Sequence, residues 1–234
     1  LKQKELLIIE KRIEKMKAEV EKIVKKSGAL AENEVKDLLK SYGIKTTKYK
    51  VVKKESDLKD LDLDFPVALK VCSNEILHKT DVGGVKLGIS SIEELVSEFK
   101  KFKKKFPKEN LLIDQMEEKG VEVIIGLVQD STFGLSIMAG VGGIYTELYK
   151  DVSFRVIPLL SRDSAEEMID EIRGKKLLEG FRNIKADKEQ VIDLIMKVSK
   201  IGEELLYNIK EMDLNPVFIY ENDYCVVDAK LILK

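Results

Sequence analysis

The chain of 234 residues has one histidine, two cysteines and no apolar run near the ~18 residues that a membrane-spanning helix needs. Two thiols are too few for a disulfide framework or a cysteine-built metal cluster. Cys72 in "VALKVC" and Cys225 in "YCVV" stand in apolar runs and read as buried, reduced thiols. The lysine-rich start has no signal-peptide h-region, so the expected location is cytoplasmic, with no membrane partner. Charge of one sign is missing too: 41 basic residues face 42 acidic ones, for a formal net charge of −1. Such a balance generates no long-range field that would draw nucleic acid, which is not an expected partner. No G-x-G-x-x-G turn follows a strand and opens a helix, so a Rossmann-type site has no candidate. Internal repeats and low-complexity linkers are also absent from the sequence.

What is present is a chain long enough for two small lobes sharing a cleft. Over residues 6 to 24, Ile9, Ile13, Met16, Val20 and Ile23 recur at helical spacing among Lys and Glu, giving an amphipathic helix. "AENEVKDLLKSY" before Gly43 predicts a second helix, and residues 91 to 104 a third. "TTKYKVV", "FPVALKVC" and "NLLIDQM" read as strands. From residue 120 the strands lengthen: "VEVIIGLVQD" and "FGLSIMAG" form a hairpin across "ST", followed by strand-like "VSFRVIPL". Helical patterns over about 163 to 173 and 188 to 206 come next. "EMDLNPVFIY" and "YCVVDAKLIL" then flank the turn "END" as a second hairpin. The order predicts a mixed α/β (α+β) fold in two lobes: an N-terminal helix over 1–26, a first lobe over 27–116 and a second over 117–234.

Several residues have both a chemical and a plain reading. Lys70 sits near the end of an apolar strand, where an ammonium facing a cleft suits phosphate; taken alone, a lysine snorkelling at the surface is the more ordinary reading. Gly83-Gly84 and the "AGVGGIYTE" run, with Gly140, Gly142 and Gly143, are glycine-rich turns beside strands, fit for phosphate or for simple tight turning. Asp213 and Asn215 in "DLNPV" and Asp228 in "VVDAK" fall on neighbouring hairpin strands, so hard oxygens converge as Mg²⁺ requires. The plain alternative is a turn at Asn215-Pro216 and an edge charge at Asp228. "MEEKGVEVIIG" offers Glu117, Glu118 and Glu122 on a connecting segment, either a nucleotide-binding hinge or a solvated acidic turn.

Taken together and in order, "FPVALKV…ILHKTDVGGVKLGI", "VEVIIGLVQDSTFG", "IMAGVGGIYTELYKDVSFRVIPL" and "DLNPVFIYENDYCVVDAKLIL" resemble the β subunits of ADP-forming acetyl-CoA synthetases, from about residue 28 to the end. The resemblance implies a two-lobed ATP-grasp fold with the nucleotide cleft between the lobes. It also implies interconversion of acyl-CoA, ADP and phosphate with carboxylate, CoA and ATP by way of phosphohistidine. Lys70 and the loop through Gly83 and Gly84 would hold ATP or ADP phosphates, the Glu117 segment would meet adenine, and Glu122 the ribose. Asn215 and Asp228 would hold Mg²⁺, Asp213 would sit near a phosphohistidine of the partner, and Arg155 would neutralise phosphoryl groups. The implied partner is a CoA-binding α subunit in a hetero-oligomer, expected as a heterotetramer.

The resemblance changes how His78 reads. A lone exposed histidine in a polar loop is ordinarily incidental; here it becomes this chain's phosphorylated residue. Imidazole, with an ordinary pKa of about 6.5, is a competent nucleophile near neutral pH. The eleven-residue loop over 73–83 has an extended reach of roughly 35 Å, enough to carry His78 between sites. Two runs depart from the family pattern: "QDSTFGL" in place of "RDPQFGP", and Arg182-Asn183 without the usual glycine and proline. They are the sequence hints for one alternative, a nucleotide-sensing subunit without turnover; the other alternative is an ATP-grasp carboxylate ligase without histidine phosphorylation.

Overall fold

The computed structural model describes residues 2–76, 78–143, 150–158 and 161–234, with the side chains of 2–10 and 12 outside that description. The chain divides into two compact units. The larger comprises Leu1–Gly28, Val35–Thr46 and Lys119–Lys234, and the smaller Ala29–Glu34 and Thr47–Glu118. A break falls between 118 and 119. The first-lobe boundaries differ from 27–116, because residues 35–46 and the N-terminal helix group with the larger unit.

The smaller unit is a four-stranded antiparallel sheet of β2 (Tyr49–Val52), β3 (Val67–Cys72), β4 (Val85–Ile89) and β5 (Asn110–Gln115), ordered β2-β5-β3-β4. Helix α3 (Ile92–Lys105) starts where Ser91 accepts the Glu94 N–H at 3.2 Å, and it carries acids in its first turn and lysines in its last. Its Leu95, Phe99 and Phe102 pack with Val67, Leu69 and Val71 of β3 and with Leu111 and Ile113 of β5. Since side chains alternate along a strand, Ala68, Lys70 and Cys72 fall on the other face of the sheet, with Leu112 and Asp114. That face is buried as well. Strand β4 was not foreseen, because three of its five residues are exposed and it has no apolar run.

The larger unit holds the helix α1 (Lys2–Ile23), α2 (Glu32–Ser41) from its second turn on, and a seven-stranded sheet with path β1-β11-β9-β6-β7-β8, β10 pairing β9. Here β1 is Gly28–Ala29, β6 Val121–Asp130, β7 Gly134–Val141, β8 Val152–Val156, β9 Ile209–Ile219, β10 Tyr224–Val226 and β11 Ala229–Leu233. Gly43, at φ +69°, ends α2 in the left-handed conformation that suits a helix terminus. Of the apolar stripe expected on α1, Ile23 is buried while Ile13 is exposed. Helices α4 (Arg162–Glu171) and α5 (Lys188–Glu204) cover the sheet face that carries Val123, Ile125 and Leu127 of β6. At Gly120, just before β6, an added Cβ would lie 2.5 Å from the Ile219 carbonyl oxygen, so only glycine lets the chain pass there.

Candidate functional site

Within the smaller unit the chemistry gathers around Lys70. It stands inside β3, side chain 6% exposed, with Nζ donating to Glu32 Oε1 at 2.7 Å and lying 2.9 Å from Asp114 Oδ2. This corrects both readings of Lys70, the strand-end ammonium open to a cleft and the snorkelling surface lysine. An ammonium withdrawn from water needs compensating carboxylates, and here two supply it. Asp114 Oδ1 also accepts the Thr47 hydroxyl, and Glu32 Oε2 accepts Lys79 Nζ. Glu32 and Asp114 were missed by the sequence reading. Asp114 left a signal, since it is the lone acid in the apolar strand "NLLIDQ", as Lys70 is the lone base in "VALKVC".

His78 is exposed on the segment between β3 and β4, one residue before Lys79. The turn after it is internally bonded: Gly83 N–H donates to Thr80 O at 2.9 Å, Gly84 N–H to Lys79 O at 2.6 Å, and Val71 N–H to Gly84 O at 2.8 Å. The glycines therefore satisfy local geometry. Gly83 has φ +60°, and a Cβ on Gly84 would meet Lys79 O at 3.0 Å and Val71 Cγ2 at 3.1 Å. Their N–H groups are not turned toward a phosphate in this conformation, contrary to a simple cradle. Glu117 is half-buried in the segment after β5.

The larger unit presents its own constellation on the sheet face opposite α4 and α5. Residues Glu211, Asp213 and Asn215 alternate outward along β9, while Met212 and Leu214 point into the core. Cross-strand pairing sets Phe154, Met138, Gly126, Asp213 and Lys230 in one row. Together with Ile124, Val128 and Glu211, the first four of these line a concavity of about 370 Å³. Strands β10 and β11 continue one register along β9, interrupted at 227–228. Across that interruption Asn215 N–H donates to Asp228 O at 3.2 Å and Val227 N–H to Pro216 O at 3.0 Å, so Asn215 and Asp228 stand opposite each other. Asn215 and Pro216 lie within β9, which removes the reading of them as a turn. Among the described residues no group of three or more His, Cys, Asp or Glu is disposed to hold a metal by itself. An amide oxygen and a carboxylate facing each other still fit Mg²⁺, which completes its octahedron with water and phosphate oxygens.

Asp213 is the strained member. Its Oδ1 is buried, and among the described residues it has no hydrogen-bond partner. Burial pushes its carboxyl up to about 6, with Lys230 opposing and Glu211 and Asp228 adding to the rise. A carboxyl whose folded-state pKa is raised destabilises the fold once it must ionise. The stability it permits is fully present below the unfolded value near 3.8 and is lost as pH rises through about 6. Asp213→Asn in metal-free buffer should therefore gain stability over the parent between pH 4 and pH 7, by at most about 3 kcal/mol. Urea melts at the two pH values measure it, and a pH-independent difference would contradict the assignment.

Glu122, on β6 opposite Phe218, is half-buried; its C=O accepts Gly142 N–H at 2.6 Å, and a Cβ on Gly143 would lie 3.5 Å from its Oε2. The rest of "IYTELY", residues 144–149, lies outside the described residues. Arg155 is a correction. On β8 it shares the helix-covered face with Ser153, while Phe154 and Val156 point outward; its guanidinium grips Glu171 of α4 at 2.7 and 3.0 Å. That pair, helped by the Ser153 hydroxyl, pulls the Glu171 carboxyl down to about 2. Arg155 is thus a buttress between β8 and α4 and is not brought to the face of Asp213.

The two departures have structural explanations. In "QDSTFG", Asp130 Oδ1 accepts the N–H groups of Thr132 (2.7 Å) and Phe133 (2.8 Å), making a side-chain-capped hairpin turn without proline. Asn183 adopts φ +62°, a conformation that glycine takes freely and asparagine tolerates best among other residues.

Comparison with known proteins gives a consistent picture. The family described as ATP-grasp domain matches residues 21–233. An acetate–CoA ligase [ADP-forming] II of Archaeoglobus fulgidus is 44% identical over 206 residues, 87% of this chain but 30% of that protein. The chain thus spans about a third of the length of that relative. The acetate–CoA ligase [ADP-forming] II subunit beta of Pyrococcus furiosus is 41% identical over 236 residues, covering 94% of this chain and 100% of the relative. A structure of the dinucleotide-forming acetyl-coenzyme A synthetase 1 of Ca. Korarchaeum cryptofilum superimposes with a TM-score of 0.76 at 40% identity, covering 88% of this chain and 93% of that one. It holds coenzyme A and Mg-AMPPCP, with its phosphohistidine segment pointing towards the nucleotide-binding site.

Proposed function

The chain belongs to the ATP-grasp family, among the β subunits of ADP-forming acetate–CoA ligases, and on that premise we propose that it is the nucleotide-binding, phosphoryl-carrying subunit of such a ligase. One observation carries the reading: the lone imidazole is exposed one residue before Lys79, and Lys79 and Lys70 bond the two oxygens of the same buried carboxylate. The residue proposed as nucleophile thus neighbours in sequence a lysine that shares a carboxylate with Lys70.

In the ATP-forming direction a phosphoryl group on a His78 ring nitrogen passes to a terminal oxygen of ADP. The N–P bond breaks, a P–O bond forms, and the imidazole recovers its electron pair. Lys70 and Lys79 offset charge on the phosphates, acting where charge is spread over non-bridging oxygens. Mg²⁺, held by Asn215 and Asp228, would supply further neutralisation of the nucleotide phosphates. The Glu117 segment would take adenine and Glu122 the ribose hydroxyls. Asp213, which lines the concavity and whose buried Oδ1 has no hydrogen-bond partner among the described residues, is suited to accept a hydrogen bond from an incoming partner histidine. By likeness to separately encoded beta subunits, the acyl half of the reaction is assigned to a CoA-binding α subunit.

The test is to mix the purified chain with acetyl-CoA, ADP, phosphate and Mg²⁺ and follow free CoA with a thiol reagent. Adenine nucleotide should bind, and CoA release should stay at background until a CoA-binding subunit is added. Steady release by the chain alone would overturn the two-subunit reading.

A further inference from the structure

The carboxylate of Glu32 is shared by two lysines with different tasks, and nothing in the proposed reaction uses it. From this sharing we infer that Glu32 is a positioning residue: it latches the His78 segment to β3 through Lys79, and nucleotide phosphate competes with it for Lys70. The inference rests on the reading of His78 as phosphoryl carrier.

Four charged groups on four parts of the smaller unit meet away from solvent. Glu32 in the first turn of α2 is 2% exposed at its side chain, Lys70 on β3 6%, Asp114 on β5 3% and Lys79 in the segment 15%. Elsewhere the segment is mostly open: Asn74, Glu75, His78, Thr80, Asp81 and Val82 are exposed, and Ile76 packs at the edge of the core. Lys79 is thus the charged tie that holds the histidine-bearing stretch inward. If the segment leaves, Lys79 leaves with it, and Glu32 Oε2 loses its bond to that ammonium. Separating a buried ion pair is unfavourable, so departure is opposed.

Phosphate enters the same balance. A phosphate oxygen within reach of Lys70 Nζ contests the position now held by Glu32 Oε1, and the two anions repel. Glu32 therefore weakens nucleotide binding while it keeps His78 near the place where nucleotide phosphate binds. Its loss should move binding and transfer in opposite directions.

The experiment uses Glu32→Gln, close to isosteric and lacking the charge. In nucleotide-free protein, hydrogen exchange at the amides of residues 79–84 should accelerate at least tenfold while the β3–β5 amides keep their rates. ADP should bind several-fold tighter by calorimetry, and single-turnover labelling of His78 by Mg-ATP should slow at least tenfold. A merely structural lesion would weaken binding and labelling together. Unchanged exchange at 79–84, or binding and labelling that fall together, overturns the inference. Should Glu32→Gln fail to fold, Lys79→Met decides from the segment side, by the same exchange criterion. If the parent protein takes up no label, the proposed function fails, but the exchange comparison still tests the latch.

Discussion

Exposed to Mg-ATP, the protein should acquire phosphate that is labile in acid and stable in alkali, and His78→Ala should lose it entirely. The expected effect is all or nothing because the chain has no second imidazole to substitute. Phosphoramidate at a ring nitrogen is hydrolysed once protonated, whereas serine or threonine phosphate survives acid, so the stability pattern identifies the bond. His78 is exposed, and the bonds that shape its turn are made by the backbones of Val71, Lys79, Thr80, Gly83 and Gly84. Replacing an exposed side chain away from such features changes stability by about 0.5 kcal/mol or less, so loss of label cannot be ascribed to unfolding. Label that persists in His78→Ala would take His78 out of the reaction and favour a ligase without histidine phosphorylation.

The second large effect is expected at Asp228. Asp228→Asn keeps the shape and the oxygen that accepts the Ala229 N–H at 3.1 Å, but it removes the formal charge opposite Asn215. A contact to a charged group is worth about 1.5–3 kcal/mol, which corresponds to a loss between about ten- and a hundredfold in affinity. That loss should appear for Mg-ADP and not for ADP in the presence of chelator. Calorimetric titrations with and without Mg²⁺ make the comparison. Equal losses in both would make Asp228 a structural residue of the β9–β11 junction.

Much of this architecture was legible because local patterns and tertiary roles agreed. The hairpin of β6 and β7 follows from two long apolar runs around "ST", and β9 with β10 from the runs around "END". The Asn215–Asp228 apposition was likewise readable, since a hairpin with a short turn sets its own register. The interruption between β10 and β11 was not, because its match on the opposing strand is Pro216, which lacks an N–H to donate. The environment of Lys70 was hidden for another reason: Glu32 is 38 residues away in sequence, and no periodicity links a helix start to a strand interior. Arg155 was within reach and was still misjudged. Alternation along "VSFRV" sets it on the face away from Phe154, so its side of the sheet followed from parity, while its partner Glu171 on α4 did not.

The division of the chain has a consequence for heredity. The smaller unit is visited twice, at Ala29–Glu34 and Thr47–Glu118, so residues 35–46 belong with the larger unit while lying inside the coding stretch of the smaller. A chimaera made by one crossover between 118 and 119 would take the whole charge cluster of Glu32, Lys70, Lys79 and Asp114 from one parent. The larger unit would be a hybrid. The Tyr42 hydroxyl that donates to Glu204 at 2.6 Å, the Lys197 ammonium 3.2 Å from the Gly43 carbonyl, and the Val226 N–H bonded to Lys45 O at 2.9 Å would each join residues of different ancestry. Recombination at this apparent seam would thus spare the smaller unit and tax the larger, so relatives that exchange segments should keep residues 35–46 and 197–226 from a common source.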